Sequence, residues 1–252
     1  MPRSPALRDL GWLTARPIAH RGLHDVQRGV IENTAGAFAA AIAADYAIEC
    51  DLQLTRDGEA VVFHDEALDR LTDREGLLAD HSVPELKAVA FKASPERIPT
   101  LGELLGQVQG RAPLVIEIKS RWDGNERLVR RTIEVVRAYH GAFALMSFDP
   151  KVITLVRELA PDLPRGIVAD RATDDDYDSL PAADRLKLRE LTHLPETEPD
   201  FISYHWRDLP YPVIANFRRT GRPVITWTIR SRQDAAAALR YSDQITFEGF
   251  RA

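Results

Sequence analysis

The side chains best suited to chemistry lie in one short stretch, residues 48–65, with the sequence IECDLQLTRDGEAVVFHD. Two apolar runs there flank an Asp-Gly pair, which is a strong signal for a β-hairpin. A connection this short requires the two runs to pair antiparallel. Period-two strand geometry puts Glu49 and Asp51 on one face, and the return strand brings His64 to the same end. The hairpin therefore predicts a site that contains two carboxylates and an imidazole.

Two further strands are predicted to add charged groups to this site. In the segment IEIKS, Glu117 and Lys119 alternate with isoleucines, so both should point into the same space. In the segment PIAHRG, His20 and Arg21 precede a glycine. Strict alternation would point these two side chains to opposite sides, so we expect the pleat to relax where the chain leaves the strand. A third carboxylate and a second histidine would then join the site.

These residue types favour phosphoryl transfer at a metal. Three carboxylates from two strands suit a hard divalent cation such as Mg²⁺ or Ca²⁺, which prefers oxygen ligands. Without a metal or a cationic side chain among them, the carboxylates would repel one another in a low-dielectric pocket. Two histidines can exchange the roles of general acid and general base near neutral pH. Arg21 and Lys119 offer positive charge for a phosphate.

The elements that must position these groups repeat as strand followed by helix. Such an alternation predicts an α/β fold, and eight units in 252 residues predict a (β/α)₈ TIM barrel, whose sites lie at the carboxyl ends of the strands. The hairpin adds an antiparallel strand, and residues 66–97 form a small helical insertion after the second barrel strand. Thr100, with Glu103 three residues later, predicts a capping box that starts the next helix. The parallel strands are predicted to end near Gly22, Leu52, Lys119, Phe148, Ala169, Tyr204, Thr228 and Thr246.

One alternative fold and several functional classes are disfavoured. A doubly wound open sheet is the alternative, but no glycine-rich phosphate loop follows the first strand. We find no linker or shift in composition, so residues 1–252 are expected to form a single domain. The single cysteine excludes an intrachain disulfide and fits a cytoplasmic location. No apolar run predicts stable membrane insertion or a secretory signal, and a formal charge of −5 argues against nucleic acid as a partner. The oligomeric state stays open.

Across nearly its whole length the sequence resembles the glycerophosphodiester phosphodiesterase family, within the phospholipase C-like phosphodiesterases. The resemblance implies a (β/α)₈ barrel with an inserted segment after the hairpin. It also implies metal-dependent hydrolysis of small glycerophosphodiesters to glycerol 3-phosphate and an alcohol. The matching segments, in chain order, are AHRG (19–22), ENTAGAF (32–38), IECDLQLTRDG (48–58), VVFHD (61–65), IPTLGELL (98–105), IEIKS (116–120), SFDP (147–150) and TWTI (226–229).

The resemblance also implies roles for individual residues. The nucleophile would be water or the glycerol hydroxyl beside the phosphate, and the alcohol that leaves stays open. A lysophospholipase D-like or other phosphodiesterase with the same machinery is one alternative, and a non-catalytic phosphoester-binding protein is another. The implied roles are Glu49, Asp51 and Glu117 as metal ligands, His20 and His64 as the catalytic acid–base pair, Arg21 and Lys119 as phosphate contacts, and Trp227 as a wall of the glycerol pocket.

Several residues allow a second interpretation. Lys119 could serve only to neutralise Glu117, Arg21 could form a salt bridge at the rim, and Trp227 could be a layer of the barrel core. Cys50 should face away from the carboxylates and pack in the core. The acidic run 174–176 is interpreted as a solvated helix start, and the role of Glu248, after the last strand, stays open. Either substrate lining or rim packing is expected of His205 and Trp206. Solvent exposure or helix capping is expected of His24, His81, His140 and His193.

Overall fold

Eight parallel strands close into a barrel in the computed structural model, which describes residues 7–173 and 177–252. The shortest strand, β1 (Ile18–Ala19), pairs with both the second and the last strand and so closes the barrel. The predicted TIM barrel is confirmed, and apart from β1 each barrel strand ends within two residues of its predicted end. The strands are β1 (Ile18–Ala19), β2 (Ala47–Leu54), β3 (Ala60–Val62), β4 (Leu114–Ile118), β5 (Phe143–Ser147), β6 (Arg165–Ala169), β7 (Phe201–His205), β8 (Val224–Ile229) and β9 (Gln244–Phe247), of which β3 is antiparallel to β2.

Helices surround the barrel and connect successive strands. The predicted capping box is present at the start of α4 (Leu101–Val108), where the Glu103 amide donates to Thr100 Oγ1 and the Thr100 amide donates to the Glu103 carboxylate. None of the helices in the two described ranges is long and apolar enough to cross a bilayer. The helices are α1 (Gly11–Thr14), α2 (Ala35–Ala43), α3 (Val83–Ala88), α4 (Leu101–Val108), α5 (Arg127–Val136), α6 (Pro150–Leu159), α7 (Ala182–Glu190), α8 (Leu194–Thr197), α9 (Pro212–Arg219) and α10 (Arg232–Ala238).

Strand alternation separates the core into two apolar layers. Side chains such as Val115 and Ala144 point into the barrel, where Leu10 and Leu13 from α1 and the segment before it close the amino-terminal end. The alternate side chains, such as Ile116, pack outward against the helices together with the fully buried Cys50. The expectation that Cys50 packs in the core is therefore confirmed.

The hairpin extends β2 beyond the barrel rim. Leu52 pairs with Ile118 of β4 on one edge and with Val62 of β3 on the other. Because β1 occupies the same edge of β2 lower down and ends at Ala19, β3 continues that edge above it. The return strand can therefore reach the rim without interrupting the barrel.

Residues 66–97 lie between β3 and α4 and pack against the hairpin. They contain a turn of 3₁₀ helix at Leu78–Asp80 and the short helix α3. Apolar side chains of this segment, among them Leu68 and Phe91, form a separate buried cluster with Ile31 and Phe63. The insertion thus shares an apolar cluster with the hairpin and the loop after β1, and this cluster holds it over one side of the rim.

Candidate active site

A pocket of about 640 Å³ opens at the carboxyl end of the barrel. TIM barrels place their functional residues at this end because the loops that follow each strand converge there. All eight residues singled out from the sequence line this pocket: His20, Arg21, Glu49, Asp51, His64, Glu117, Lys119 and Trp227.

Three buried carboxylates form the floor of the pocket. Glu49 and Asp51 project from β2 and Glu117 from β4, where Asp51 and Glu117 are direct register partners. The three side chains offer ligand oxygens that all lie within 4.8 Å of one another. Burial, together with the charges of Asp51 and Glu117, raises the pKa of Glu49 well above its ordinary value. An all-carboxylate set under such repulsion fits a hard divalent cation, which would supply both the missing ligand partner and the missing positive charge.

Lys119 lies beside two of these carboxylates. Its Nζ is 2.8 Å from Asp51 Oδ1 and 2.6 Å from Glu117 Oε1. Burial acts to lower the pKa of Lys119, but the two carboxylates outweigh burial and hold it above its ordinary value. The interpretation that Lys119 neutralises Glu117 is compatible with this geometry. Because one ammonium cannot balance three carboxylates, the floor keeps an excess of negative charge.

The chain leaves β1 in a way that turns both His20 and Arg21 toward the pocket. The strand ends at Ala19 rather than near Gly22 because Arg21 adopts a left-handed conformation with φ of 55°. Its amide then donates to Glu49 Oε2 at 3.0 Å. Gly22 also has a positive φ of 78°, and a Cβ there would lie 2.8 Å from the Cβ of Ala37. The expected relaxation of the pleat is confirmed, and glycine is required at its end.

The Arg21 side chain reaches across the floor. Nη1 donates to Glu32 Oε1 at 2.7 Å, and Nε lies 3.5 Å from Asp51 Oδ2. Nε is buried and has no hydrogen-bond partner among the described residues. The Asp51 carboxylate accepts instead from Asn33 Nδ2 at 2.9 Å. Arg21 therefore forms the salt bridge anticipated for it, and one of its donors remains available beside the carboxylates.

His20 is held by a carboxylate that directly follows the last barrel strand. Its Nδ1 lies 2.6 Å from Glu248 Oε2, while its Nε2 lies 4.0 Å from Glu49 Oε2. Burial lowers the pKa of His20 in spite of the opposing hydrogen bond with Glu248. Arg230 also donates to this glutamate, from Nε to Oε1 at 2.8 Å. Glu248, for which sequence reasoning left the role open, thus orients His20 so that Nε2 faces the carboxylates.

His64 lies just after β3, at the end of the hairpin return strand. Its Nδ1 lies 2.7 Å from Asp65 Oδ1, and its carbonyl oxygen accepts from Gln53 Nε2 at 2.9 Å. Arg70 of the insertion binds the same aspartate, from Nε to Oδ2 at 2.6 Å. Each histidine is therefore paired through Nδ1 with a carboxylate that an arginine also binds.

Aromatic side chains line the side of the pocket away from the hairpin. Trp227 Nε1 donates to the Ser203 carbonyl at 3.1 Å, and its ring packs edge-on against Phe148 with centroids 5.4 Å apart. The ring of His205 lies 5.1 Å from that of Trp227. Together with Trp206, which also lines the pocket, these rings form an apolar wall.

Of the four histidines assigned to solvent or helix ends, His24 fits neither assignment, and His193 is the N-cap residue of α8 but makes no capping hydrogen bond through its side chain. His24 is largely buried, with Nε2 3.8 Å from Glu248 Oε2, so the assignment was wrong for this residue. His193 is only 6% exposed, and burial lowers its pKa to about 4. Tertiary packing rather than local sequence buries both rings. The acidic run 174–176 lies outside the described residues.

The sequence also matches known proteins. The sequence model of the glycerophosphoryl diester phosphodiesterase family matches residues 20–244. A glycerophosphodiester phosphodiesterase from Caldanaerobacter subterraneus is 37% identical over 162 residues, which are 60% of this chain and 65% of that protein. YhdW from Bacillus subtilis is 28% identical over 235 residues, which are 87% of this chain and 88% of that protein.

A solved structure shares the fold. The structure of an Oleispira antarctica phosphodiesterase in complex with the product sn-glycerol-3-phosphate superposes with a TM-score of 0.78 over 94% of both chains, at 22% sequence identity. The chain spans less than two thirds of the Caldanaerobacter relative, at 65%, but most of the Bacillus relative, at 88%. The family match itself covers most of the chain. This chain therefore belongs to the glycerophosphoryl diester phosphodiesterase family.

Proposed function

We propose that this chain is a phosphoric diester hydrolase that cleaves glycerophosphodiesters to glycerol 3-phosphate and an alcohol. The observation that carries the proposal is the group of three buried carboxylates, whose ligand oxygens lie within 4.8 Å of one another in a pocket that two carboxylate-paired histidines also line. Membership of a family of phosphodiesterases supports the same reaction class.

Glu49, Asp51 and Glu117 are the proposed ligands of a divalent cation, Mg²⁺ or Ca²⁺. Such an ion, when bound, supplies Lewis-acid stabilisation of the charge on the phosphate. The side chains beside it contribute fixed positive charge. Lys119 balances two of the carboxylates, and the buried Nε of Arg21 is a donor suited to a phosphate oxygen.

His20 and His64 are the proposed acid–base pair. A neutral imidazole that donates from Nδ1 to a carboxylate keeps its lone pair on Nε2, and the contacts with Glu248 and Asp65 favour this tautomer in each ring. One Nε2 accepts the proton of the nucleophile, which is water or the glycerol hydroxyl beside the phosphate. Attack by the hydroxyl gives a cyclic phosphate, which water then opens to glycerol 3-phosphate in a second step. The other histidine donates a proton to the alcohol oxygen as its bond to phosphorus breaks. The paired carboxylate stabilises the imidazolium that forms in either role.

The test is a release assay for glycerol 3-phosphate across several headgroups, in the presence of Mg²⁺, Ca²⁺, Mn²⁺ or a chelator. We expect release from glycerophosphodiesters with metal and none with chelator. Release of the headgroup alcohol from lysophospholipids, in preference to deacylated substrates, would instead identify a lysophospholipase D-like enzyme, whose other product is a lysophosphatidic acid rather than glycerol 3-phosphate. Binding of glycerophosphodiesters without hydrolysis under any of these conditions would identify a phosphoester-binding protein and contradict the proposal.

The substrate is proposed to be a small molecule handled by one domain that comprises residues 1–252, with residues 66–97 as its insertion. We also propose that the protein acts in the cytoplasm, where its single, buried cysteine would remain reduced. Separation of cell fractions followed by detection of the protein tests the location. Recovery of the protein outside the cytoplasmic fraction would contradict it.

A further inference from the structure

Arg70 lies in the insertion, between the two arms that carry the candidate catalytic and phosphate-binding groups. Among the described residues that line the pocket, neither Arg70 nor Glu32 is found. We propose that Arg70 is a positioning residue, which sets the separation between His64 on the hairpin and Arg21 at the end of β1. This inference rests on the proposed function, because its effect is on the same reaction.

The guanidinium of Arg70 binds two carboxylates at once, each through two hydrogen bonds. Toward Glu32, Nη1 donates to Oε2 at 3.0 Å and Nη2 donates to Oε1 at 2.7 Å. Toward Asp65, Nε donates to Oδ2 at 2.6 Å and Nη2 donates to Oδ1 at 2.9 Å. The two bidentate pairs use four of the five N–H donors of the planar guanidinium fork and fix both carboxylates relative to one plane.

Each of these carboxylates also forms a hydrogen bond with a residue of the pocket. Glu32 Oε1 also accepts from Arg21 Nη1 at 2.7 Å. Asp65 Oδ1 is also the partner of His64 Nδ1 at 2.7 Å. The result is a continuous series of side chains from Arg21 to His64 in which Arg70 is the middle member. The series connects loops that the barrel itself leaves separate, since one follows β1 and the other follows β3.

The backbone that carries Arg70 is itself held in place. Leu68 is fully buried in the apolar cluster of the insertion, and Leu71 packs against the same cluster. The Thr72 hydroxyl donates to the Leu68 carbonyl at 2.9 Å and closes the turn that contains Arg70. The insertion therefore presents the guanidinium from a packed support rather than from a free loop.

The exposure of Arg70 separates a positioning role from a purely structural one. Its side chain is 46% exposed, so water competes for the guanidinium, and the buried Glu32 carboxylate keeps its ion pair with Arg21 when Arg70 is removed. The orientation of the Asp65 and Glu32 carboxylates, by contrast, depends directly on their hydrogen bonds with the Arg70 guanidinium. Loss of Arg70 should therefore change turnover much more than the unfolding temperature.

The experiment compares Arg70→Lys, Arg70→Gln and Arg70→Ala with the wild type. Arg56→Gln is the matched control, because Arg56 also binds a carboxylate of the insertion, Glu85, through Nη2 at 2.7 Å, at a distance from the pocket lining. We expect kcat to fall about 10- to 100-fold in Arg70→Gln, with a much smaller change in KM, since loss of an outer partner commonly has this size of effect. Arg70→Lys should restore only part of kcat, because an ammonium lacks the fork.

Two readouts would not respond to a merely structural role. Added ethylguanidinium should raise the kcat of Arg70→Ala but not that of Arg56→Gln. The ring ¹⁵N signals of His64 should shift in Arg70→Gln and stay in place in Arg56→Gln, whether or not a substrate is present. Wild-type kcat in Arg70→Gln, or an equal loss in Arg56→Gln, would overturn the proposal. A wild-type protein without hydrolytic activity would instead overturn the proposed function, and the His64 signals would still decide whether Arg70 positions that ring.

Discussion

Replacement of Glu248 by glutamine should slow turnover without unfolding the protein. The substitution keeps the shape of the side chain and removes the charge that faces His20 Nδ1 at 2.6 Å. His20 carries a positive charge whenever it holds the transferred proton, so its carboxylate partner stabilises that state. The glutamine oxygen can still accept a hydrogen bond from Nδ1, so the tautomer is retained and the electrostatic contribution is isolated.

The expected size follows from the geometry of the pair. Opposite unit charges about 4 Å apart interact by about 4 kcal/mol at an effective dielectric constant of about 20. The Glu248 side chain is 18% exposed and also binds Arg230 through its other oxygen at 2.8 Å, so water screens part of its interaction with His20. We therefore assign about half, about 2 kcal/mol, to His20, which corresponds to a loss of about 30-fold in kcat.

The assay is steady-state release of glycerol 3-phosphate by Glu248→Gln and the wild type at saturating metal. Glu66→Gln is the control, because Glu66 also lines the pocket and pairs with an arginine, Arg121, at 3.1 Å. We expect Glu66→Gln to retain wild-type kcat. A kcat for Glu248→Gln within about threefold of the wild-type value would refute the inference that this carboxylate stabilises a charged His20.

Three further predictions concern the acid–base pair, the metal and acid stability. His20→Ala and His64→Ala should each lower kcat by about 100-fold or more at an unchanged melting temperature, and activity retained by either variant would remove that histidine from the mechanism. A divalent cation at about 100 times its Kd should stabilise the wild type by about 2.7 kcal/mol in thermal unfolding, and it should stabilise Glu49→Gln much less. An equal stabilisation of both proteins would exclude Glu49 as a ligand. The free energy of unfolding should fall by up to about 3 kcal/mol between pH 7 and pH 4, because the His193 ring takes up a proton near pH 6.5 when unfolded but only near pH 4 when folded. Denaturant titrations of His193→Met at both pH values should show a smaller fall, and an unchanged fall would contradict this assignment.

The fold followed from periodic features that are visible in the sequence. Apolar strands that alternate with helices identify the barrel, and the Asp-Gly turn identifies the one antiparallel return. The clustering of Glu49, Asp51 and Glu117 could be predicted because strand periodicity fixes which side chains share a face, and neighbouring parallel strands bring those faces together.

The partners that hold the site together could not be predicted in this way. Glu248 is 228 residues from His20 in the sequence, and Arg70 lies in an irregular segment that has no period to indicate where its side chain points. Glu32 and Arg70 meet only because the insertion folds over the loop after β1. The burial of His193 likewise depends on packing between distant elements. Such contacts are set by tertiary structure, which local propensity does not encode.

The most direct test is release of glycerol 3-phosphate from glycerophosphoethanolamine by protein that has been stripped with a chelator and then reloaded. We predict no release by the stripped protein and full recovery when Mg²⁺ or Ca²⁺ is returned, with Glu49→Gln unable to recover at the same metal concentration. Equal release before and after stripping would contradict a metal-dependent reaction at the three buried carboxylates, as would the absence of product under every condition.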